Sequence, residues 1–517
     1  MEIMIPNDDP VRLLSAFVEE MDLSELYNTY TRIRKNQATP EQLLKIMIYA
    51  FMNGLRSSRD IEKACRRDIN YMYLLEGNPA PDHATIARFI SVHMAGCSKN
   101  LLSECTGYLK EIGEISGKTI FIDGTKIEAN ANRYSFVWKR AVNKNLEKLM
   151  DKIMRFVLET EKTYGFEIAY KNRTSLHALK RIRKKLKRIQ KERNIQFVHG
   201  SGKRKTAIQR SIETLDRYID KLKEYTQKRY ICGMRSSYSK TDHDATFMRL
   251  KEDAMRNGQL KPAYNMQHGV DSQYITWVDI SASPTDTPTL IPLLKDMEEH
   301  LGFKYAEIVA DAGYESEEIY AYIEENQQTA YIKPTNYEIS KTRKYQHDIS
   351  RRENMDYHPD TDTYTCSQQR CLHATGEKRE RTASGYQRQV TIYECEDCSG
   401  CPQKTKCIRG NHCRMPMEER NKRMYVSRKF ERQRADSLNR ITTAYGVQLR
   451  VNRSIQVEGS FAYTKEDLGL RQYSYRGTDN VLAESVITAM AYNIWKLHYK
   501  IQGKRTGISL IEMKESA

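Results

Sequence analysis

The chain has 517 residues, with 84 Lys and Arg against 67 Asp and Glu, a net charge of +17 and a pI of about 9.2. This length predicts about two to four domains with sizeable cores, and the basic charge favours a polyanionic partner. No stretch approaches the roughly 18 apolar residues of a membrane span, and the N-terminus lacks the basic start and apolar core of a signal peptide. The sequence therefore excludes a membrane protein and predicts a cytoplasmic one.

The N-terminal region, residues 1–115, has a helical pattern. Apolar stripes run along residues 11–18 and 43–51, and Ser57 and Asp82 each begin a segment that resembles a helix N-terminus. A short helix, a turn and an Arg-bearing helix fit a helix-turn-helix that reads DNA. A helical domain packed on the rest of the chain fits equally well. We expect an all-α N-terminal domain that binds DNA.

A strand pattern at residues 118–128 is followed by a basic helical segment, residues 136–259. Within it, residues 171–230 hold 20 Lys and Arg against 5 Asp and Glu, a net charge of +15. Two apolar stripes with heptad-like spacing flank a Gly- and Lys-rich turn, which predicts an antiparallel helical hairpin. A basic run is often only a solvated face, but this much charge on a hairpin would repel itself without an anionic partner. The cations that we expect to contact the DNA backbone are Lys184, Lys185, Lys187, Arg188, Lys203, Arg204 and Lys205.

Strand and helix patterns alternate in the middle of the chain. A hairpin, a helix and two further strands predict a mixed sheet with right-handed crossovers, and hence an α/β fold class. Helical patterns return near the C-terminus and include an apolar helix at residues 483–497 that we expect to pack on the sheet. The segments expected to build this core are residues 116–135, 260–335 and 431–500, with a tail at 501–517.

Three carboxylates carry the expected chemistry. Asp123 and Asp311 each end a β-branched, apolar run and are followed at once by Gly or Ala-Gly. Glu458 begins an amphipathic helical stretch that ends at Lys465. If the two strands are parallel neighbours, both aspartates point into the crevice beyond the carboxyl ends of the sheet, which Glu458 would reach from a helix. Such carboxylates suit a pair of Mg²⁺ or Mn²⁺ ions in phosphoryl transfer, with no protein nucleophile.

Other polar residues compete for this role. Asp279 falls within the predicted hairpin and Asp286 at the start of a helix, so both rank below the three carboxylates as metal ligands. His268 fits a core or hairpin histidine better than a general base. No Gly-x4-Gly-Lys-Ser/Thr phosphate loop is present in the sequence.

Four ordered motifs resemble those of a known family. Residues 121–130, 264–271, 310–316 and 457–465 are similar, in this order, to motifs of the DDE transposases of bacterial insertion sequences. Among these the chain most resembles the insertion sequence eleven-eighty-two group, which is related to the insertion-sequence-four group. The likeness extends from the helical N-terminal region to about residue 497. It implies a ribonuclease H-like catalytic core that carries a basic helical-hairpin insertion and a Cys-rich insertion.

The resemblance also implies residue roles and partners. Asp123, Asp311 and Glu458 would form the metal-binding triad. Lys465 would grip a phosphate at the transposon end. The family's signature places Arg four residues before Glu, where this chain has a serine, so that the nearby Arg453 is one position off. The implied enzyme binds the inverted repeats of its element, cleaves the ends and joins the 3′-hydroxyls to target DNA. It would act as a homodimer on DNA ends, in the bacterial cytoplasm at the nucleoid.

A cysteine cluster lies in the polar segment 336–430. Seven of the 11 cysteines fall within residues 366–413, and short thiolate spacing in a reducing compartment fits a structural, four-coordinate Zn²⁺. An iron–sulfur cluster and unmetallated thiols are the alternatives. Cys366 is a substitute ligand. The expected zinc ligands are Cys395, Cys398, Cys401 and Cys407.

Two other functions fit the same fold. The first is a DNA-binding regulator that has lost cutting activity, and the second is a ribonuclease H-fold nuclease that cuts without joining strands. The presence of all three carboxylates argues against a regulator without cutting activity. The basic hairpin and the N-terminal domain suit the pairing of DNA ends better than simple cutting.

Overall fold

The computed structural model describes residues 4–165, 175–200, 204–251, 258–410 and 415–510. The chain divides into two compact units. The first unit comprises Met1–Thr125, Asn265–Ser474 and Asp479–Ala517, and the second comprises Lys126–Tyr264 with Tyr475–Thr478. In the described part of the chain, no helix is long and apolar enough to cross a membrane.

The first unit begins with helices. Asp9 caps the first through Val11 N–H, and Thr39 forms a capping box at the third. Asp82 caps the sixth helix, whereas Ser57 precedes the fourth without a side-chain cap bond. The helices are α1 (Pro10–Glu19), α2 (Ser24–Asn28), α3 (Pro40–Met52), α4 (Ser58–Arg67), α5 (Ile69–Leu75), α6 (His83–Arg88) and α7 (Ala95–Glu111), with a π-helical segment at Phe89–Met94.

The second unit holds three long helices. They share one apolar core, to which Ile153, Ile182 and Leu215 contribute one fully buried side chain from each helix. The two heptad-like stripes thus form helices as predicted, but a third helix packs with them. After β1 (Thr119–Glu128), the elements are β2 (Phe136–Trp138), α8 (Lys139–Tyr164), α9 (Leu176–Glu192), α10 (Ala207–Cys232), β3 (Ser237–Ser239) and β4 (Thr246–Arg249).

A mixed sheet follows, as the strand patterns predict. Its elements are β5 (Leu260–Asp271), β6 (Tyr274–Ser281), α11 (Leu290–Leu301), β7 (Glu307–Ala310), α12 (Glu317–Glu325) and β8 (Thr329–Ile332). The strand order is β6-β5-β1-β7-β8, and β4 pairs with the first residues of β5. Strands β1, β7 and β8 run parallel, whereas β5 and β6 form an antiparallel hairpin. Parallel neighbours need a crossover, which α12 supplies between β7 and β8.

The Cys-rich segment contains a sheet that the sequence patterns did not predict. Its elements are α13 (Arg343–Gln346), β9 (Asp356–His358), β10 (Thr363–Thr365), β11 (Cys371–Arg381), β12 (Gln387–Cys395), α14 (Lys404–Cys407) and β13 (Arg423–Val426). The five strands are antiparallel, in the order β13-β12-β11-β10-β9. They pack around a small core that includes Leu372 and Tyr393.

The C-terminal region is helical, as predicted. Asn493 of the last helix donates to the Ile275 carbonyl of β6 and accepts from the Ile275 N–H, which fastens that helix to the hairpin. Trp495 of the same helix donates to the Met52 carbonyl, so the N-terminal helices also pack on it. The helices are α15 (Arg428–Thr442), α16 (Ala444–Arg453), α17 (Gly459–Ala462) and α18 (Thr478–Gln502), with π-helical segments at Ser454–Glu458 and Tyr463–Asp467.

Candidate functional site

The register of β1 and β7 brings two aspartates together. Ile122 pairs with Ala310 in the parallel ladder, so that Asp123 and Asp311 are the next residues along the two segments. Each carboxylate accepts a hydrogen bond from a glycine N–H just after it, Asp123 at 2.8 Å and Asp311 at 2.8 Å. The strand pattern predicted at residues 118–128 is confirmed, because β1 runs from Thr119 to Glu128 and so continues beyond its last pair with β7.

The two aspartates are partly buried side by side where the β1–β7 pairing ends, at the expected crevice of the sheet. Burial raises the pKa of Asp123 above its ordinary value. The Arg453 guanidinium lowers this pKa, the Asp311 carboxylate raises it, and the Gly124 N–H lowers it. A carboxylate whose charge is disfavoured by burial and by a like neighbour gains from a bound cation.

Glu458 lies on a helix beside this crevice. The predicted helix start at Glu458 is wrong, because the helix runs from Ala444 and Glu458 is the last residue of a π-helical segment within it. The Glu458 side chain is 62% exposed, and its Oε1 accepts from Ser454 Oγ at 3.0 Å. An arginine links it to the aspartates: Arg453 Nη1 lies 2.8 Å from Asp123 Oδ2, and Nη2 lies 3.7 Å from Glu458 Oε1.

The structure therefore pairs Asp123 with Asp311 and connects Glu458 to Asp123 through Arg453. Among the described residues, no group of three or more His, Cys, Asp or Glu side chains is arranged to hold a metal ion. The donor set itself fits hard divalent cations, since Asp123 and Asp311 supply carboxylate oxygens where the parallel pairing of β1 and β7 ends. Glu458 and Arg453 would have to change position for three carboxylates to share one ion.

A further carboxylate, Asp286, lies at the same place, although sequence reasoning ranked it low. A Cβ added to Gly124 would lie 2.9 Å from Asp286 Oδ1, and one added to Gly313 would lie 3.4 Å from Asp286 Oδ2. Asp286 Oδ1 also accepts from Asn265 Nδ2 at 2.7 Å. The predicted hairpin was the one signal that could have placed Asp286 here. Because β6 pairs with β5 and β5 neighbours β1, the loop that follows β6 begins close to β1. Asp279, by contrast, lies within the hairpin as predicted.

His268 packs against the helical turn that follows Glu458. It is buried, its Nδ1 is 3.1 Å from Ser460 Oγ, and its ring stacks on Phe461 with centroids 4.4 Å apart. Burial, with a smaller effect of Lys465, lowers the pKa of His268 to about 3. The neutral, buried ring of His268 confirms the prediction of a core histidine.

Lys465 lies in the second π-helical segment, Tyr463–Asp467. A π-turn holds more residues than an α-turn, so residues seven apart no longer lie two regular turns along one face. Regular α-helical spacing therefore does not give the position of Lys465 relative to Glu458.

The basic residues of the second unit lie on the helical surface. The cations predicted within α9 and just before α10 are exposed wherever the structure describes them, and Lys203 lies outside the described residues. Part of the charge is compensated locally, because Arg188 pairs with Glu192 and Lys205 with Glu213. The exposed cations are Lys184, Lys185, Lys187, Arg188, Arg204 and Lys205.

A groove of 520 Å³ between α9 and α10 concentrates this charge. Five cationic side chains line it, against the two carboxylates Asp216 and Asp220. The excess of cations makes the groove a surface that an anionic partner would favour. The cationic residues are Lys180, Arg183, Lys184, Lys187 and Lys223.

Five cysteine thiols converge in the Cys-rich segment. They line one small cavity, of 20 Å³, and Lys422 N–H donates to Cys398 Sγ at 3.3 Å. Burial raises the pKa of the Cys395 thiol to about 12, and the neighbouring Cys398 adds to this. Cys371 is exposed, and Cys413 lies outside the described residues. The converging thiols are Cys366, Cys395, Cys398, Cys401 and Cys407.

Comparison with known proteins gives two family matches. Residues 365–498 match a transposase DDE domain, and residues 1–92 match a transposase domain (DUF772). No curated protein and no solved structure matches the chain. Glu458 lies within the first match, whereas Asp123 and Asp311 lie outside both. The chain therefore contains two transposase domains, one of which is a transposase DDE domain.

Proposed function

We propose that this chain is a DDE transposase that binds the inverted-repeat ends of an insertion sequence, cleaves them, and joins the freed 3′-hydroxyls to target DNA. The observation that supports this most is the β1–β7 register, which sets Asp123 beside Asp311 in a chain that matches a transposase DDE domain. The four ordered motifs support membership of the insertion sequence eleven-eighty-two group. Because the substrate would be bacterial DNA, we propose a cytoplasmic location at the nucleoid.

Asp123, Asp311 and Glu458 are the proposed ligands of two Mg²⁺ or Mn²⁺ ions. When bound, the ions would supply charge stabilisation to the attacking and leaving oxygens. Asp123 and Asp311 provide fixed oxygens, because each accepts from a glycine N–H just after it. The exposed Glu458 carboxylate supplies the adjustable third position. Arg453 and Lys465 are the proposed contacts to the transposon-end phosphates.

The remaining segments have proposed roles in DNA handling. Residues 1–115 form the proposed end-binding domain, and the basic helices within 136–259 hold the DNA backbone. Because two ends must be cut and joined together, we propose a homodimer on DNA. The segments of the proposed ribonuclease H-like core are 116–135, 260–335 and 431–500, followed by a tail at 501–517.

Zinc is the proposed structural metal of the segment 336–430. The support is chemical, because a structural zinc takes four ligands and five thiols line one cavity. The N–H that Lys422 directs at Cys398 Sγ is the type of outer bond that orients a thiolate ligand. Within the described residues, the side chains are not arranged as a metal site. The proposed ligands are Cys395, Cys398, Cys401 and Cys407, with Cys366 as a substitute.

A strand-transfer assay with labelled element ends tests the proposed function. We expect cleaved ends and joined products with Mg²⁺ or Mn²⁺, and a loss of both, by about 10³-fold or more, in Asp123→Asn, Asp311→Asn and Glu458→Gln. Glu466→Gln is the matched control, because Glu466 is an exposed acid of the same helical region whose carboxylate pairs with Arg471. Hydrolysis without joined product would indicate a nuclease. End binding without cleavage would indicate a regulator.

A further inference from the structure

Arg453 places a positive charge between two proposed metal ligands. Its guanidinium lies 2.8 Å from Asp123 Oδ2 and 3.7 Å from Glu458 Oε1. The arginine and aspartate side chains are only 15% and 14% exposed, so water screens this ion pair poorly. The contact therefore stabilises a crevice that would otherwise hold adjacent carboxylates without a cation.

A π-turn explains how Arg453 reaches this position. In an α-helix, residues four apart share a face, whereas a π-helical turn needs five residues. Arg453 precedes Glu458 by five residues, and the Ser454–Glu458 segment is π-helical. Ser454, four residues before the glutamate, and Arg453, five residues before it, therefore both lie beside Glu458, at 3.0 Å and 3.7 Å from Oε1.

The guanidinium and a metal ion need the same oxygens. Asp123 Oδ1 accepts from Gly124 N–H, which leaves Oδ2, the atom that Arg453 contacts, for a cation. Glu458 Oε1 accepts from Ser454 and lies near Arg453. Mg²⁺ binds oxygen at about 2.0–2.1 Å, so an ion on Asp123 Oδ2 would strongly repel the guanidinium.

We propose that Arg453 is an internal counter-ion that competes with the divalent metal and leaves the carboxylates for a DNA phosphate. This inference rests on the proposed function. A phosphate can accept two parallel hydrogen bonds from a guanidinium, so bound DNA offers Arg453 an alternative partner. Departure of Arg453 frees Asp123 and Glu458 for the metal. Since coupling is reciprocal, end DNA strengthens metal binding and metal strengthens end binding.

Direct Mn²⁺ binding to the full-length protein tests the competition without an activity readout. Free Mn²⁺ is measured by electron paramagnetic resonance. Without DNA, Arg453→Ala should tighten Mn²⁺ binding by about 5-fold or more, the lower range of typical coupling between sites. Arg453→Gln, which keeps much of the side-chain length, should do the same. Arg450→Ala is the control, because Arg450 lies one turn earlier on α16 and stacks over Tyr337 instead.

The second arm adds DNA containing one element end. Wild-type protein should bind Mn²⁺ more tightly with this DNA than without it, and Arg453→Ala should lose most of that gain. Unchanged or weaker Mn²⁺ binding by both Arg453 variants without DNA would overturn the inference, as would a wild-type affinity that DNA does not raise.

Asp123→Asn separates the two proposals. If it leaves Mn²⁺ binding intact, the proposed metal site fails and the counter-ion role fails with it. Loss of binding in Asp123→Asn, together with no effect of the Arg453 variants, would remove only the counter-ion role.

Discussion

Gly124 has no room for a side chain, and Gly124→Ala should damage both stability and the site. An added Cβ would overlap Gln267 Nε2 and lie 2.9 Å from Asp286 Oδ1. Gln267 is fully buried, donates to Asn265 Oδ1 at 3.0 Å, and accepts from the Tyr314 hydroxyl. Its amide would have to move by about 1 Å or more to reach ordinary contact distance, which breaks part of this network.

Two effects determine how much stability Gly124→Ala loses. Overpacking of a filled interior costs about 1–3 kcal/mol, and each disturbed buried hydrogen bond about 1 kcal/mol. We therefore expect Gly124→Ala to lower the free energy of unfolding by roughly 2–4 kcal/mol. Because Asp123 is the adjacent residue, cleavage should also fall by about 100-fold, as expected for a displaced catalytic group.

Urea unfolding followed by tryptophan fluorescence measures the loss of stability. Gly107→Ala is the matched control, because an added Cβ there meets nothing within 4 Å and the residue lies inside α7. That control should be more stable than the wild type by up to about 1 kcal/mol. An unfolding midpoint of Gly124→Ala equal to the wild-type value would refute the close approach of Gln267 and Asp286 to β1.

Three other changes test separate parts of the molecule. Glu114 and Lys500 form a buried pair at 2.9 Å, so Glu114→Gln should cost about 3–5 kcal/mol. Burial raises the pKa of Glu114, but its hydrogen bonds and its ion pair with Lys500 outweigh burial and lower the pKa from its ordinary value of 4.5. The stability that Glu114→Gln loses, measured from urea midpoints, should therefore be largest above pH 4.5. This loss should shrink as the pH falls through the lower pKa of the folded state. Alanine substitution of Lys184, Lys185 and Lys187 together should weaken the salt dependence of binding to nonspecific DNA. The slope of log affinity against log salt concentration should become smaller in magnitude by up to about 2.7. Cys398→Ser should lower the zinc content of the purified protein, whereas Cys371→Ser should not, as measured by atomic absorption.

Several parts of the fold could be predicted because local pattern and structure agree. The apolar run before Asp123 and the one before Asp311 each form a parallel strand, and their chain order requires a crossover. The stripes of α9 and α10 repeat every three or four residues and form buried faces. In these segments burial is periodic, so the sequence carries its own signal.

Other parts have no such signal. Most residues of β11 are exposed and many are charged, so its alternation of apolar and polar residues is weak, and its pairing with β12 fixes it instead. The π-turn before Glu458 changes which residues share a face, which no residue spacing reveals. Asp286 joins the aspartates because a loop folds back to Gly313, where Thr287 Oγ1 donates to the Gly313 carbonyl at 2.7 Å. These are long-range contacts, and local propensity does not encode them.

The candidate site was predictable in part for the same reason. Asp123 and Asp311 directly follow apolar runs that the pattern predicts as strands, whereas the position of Glu458 depends on where a distant helix packs. The Glu458 carboxylate lies beside Ser454 and Arg453, and the role of that arginine follows from an ion pair between residues 330 positions apart.

The location of bound Mn²⁺ tests the proposed metal site most directly. Crystals of the full-length protein with end DNA, soaked in Mn²⁺, would show the ions by anomalous scattering. We expect peaks within about 2.5 Å of carboxylate oxygens of Asp123 and Asp311, with Glu458 turned toward them and Arg453 on a phosphate. Peaks confined to other residues, with Arg453 still on Asp123, would contradict both the triad and the counter-ion role.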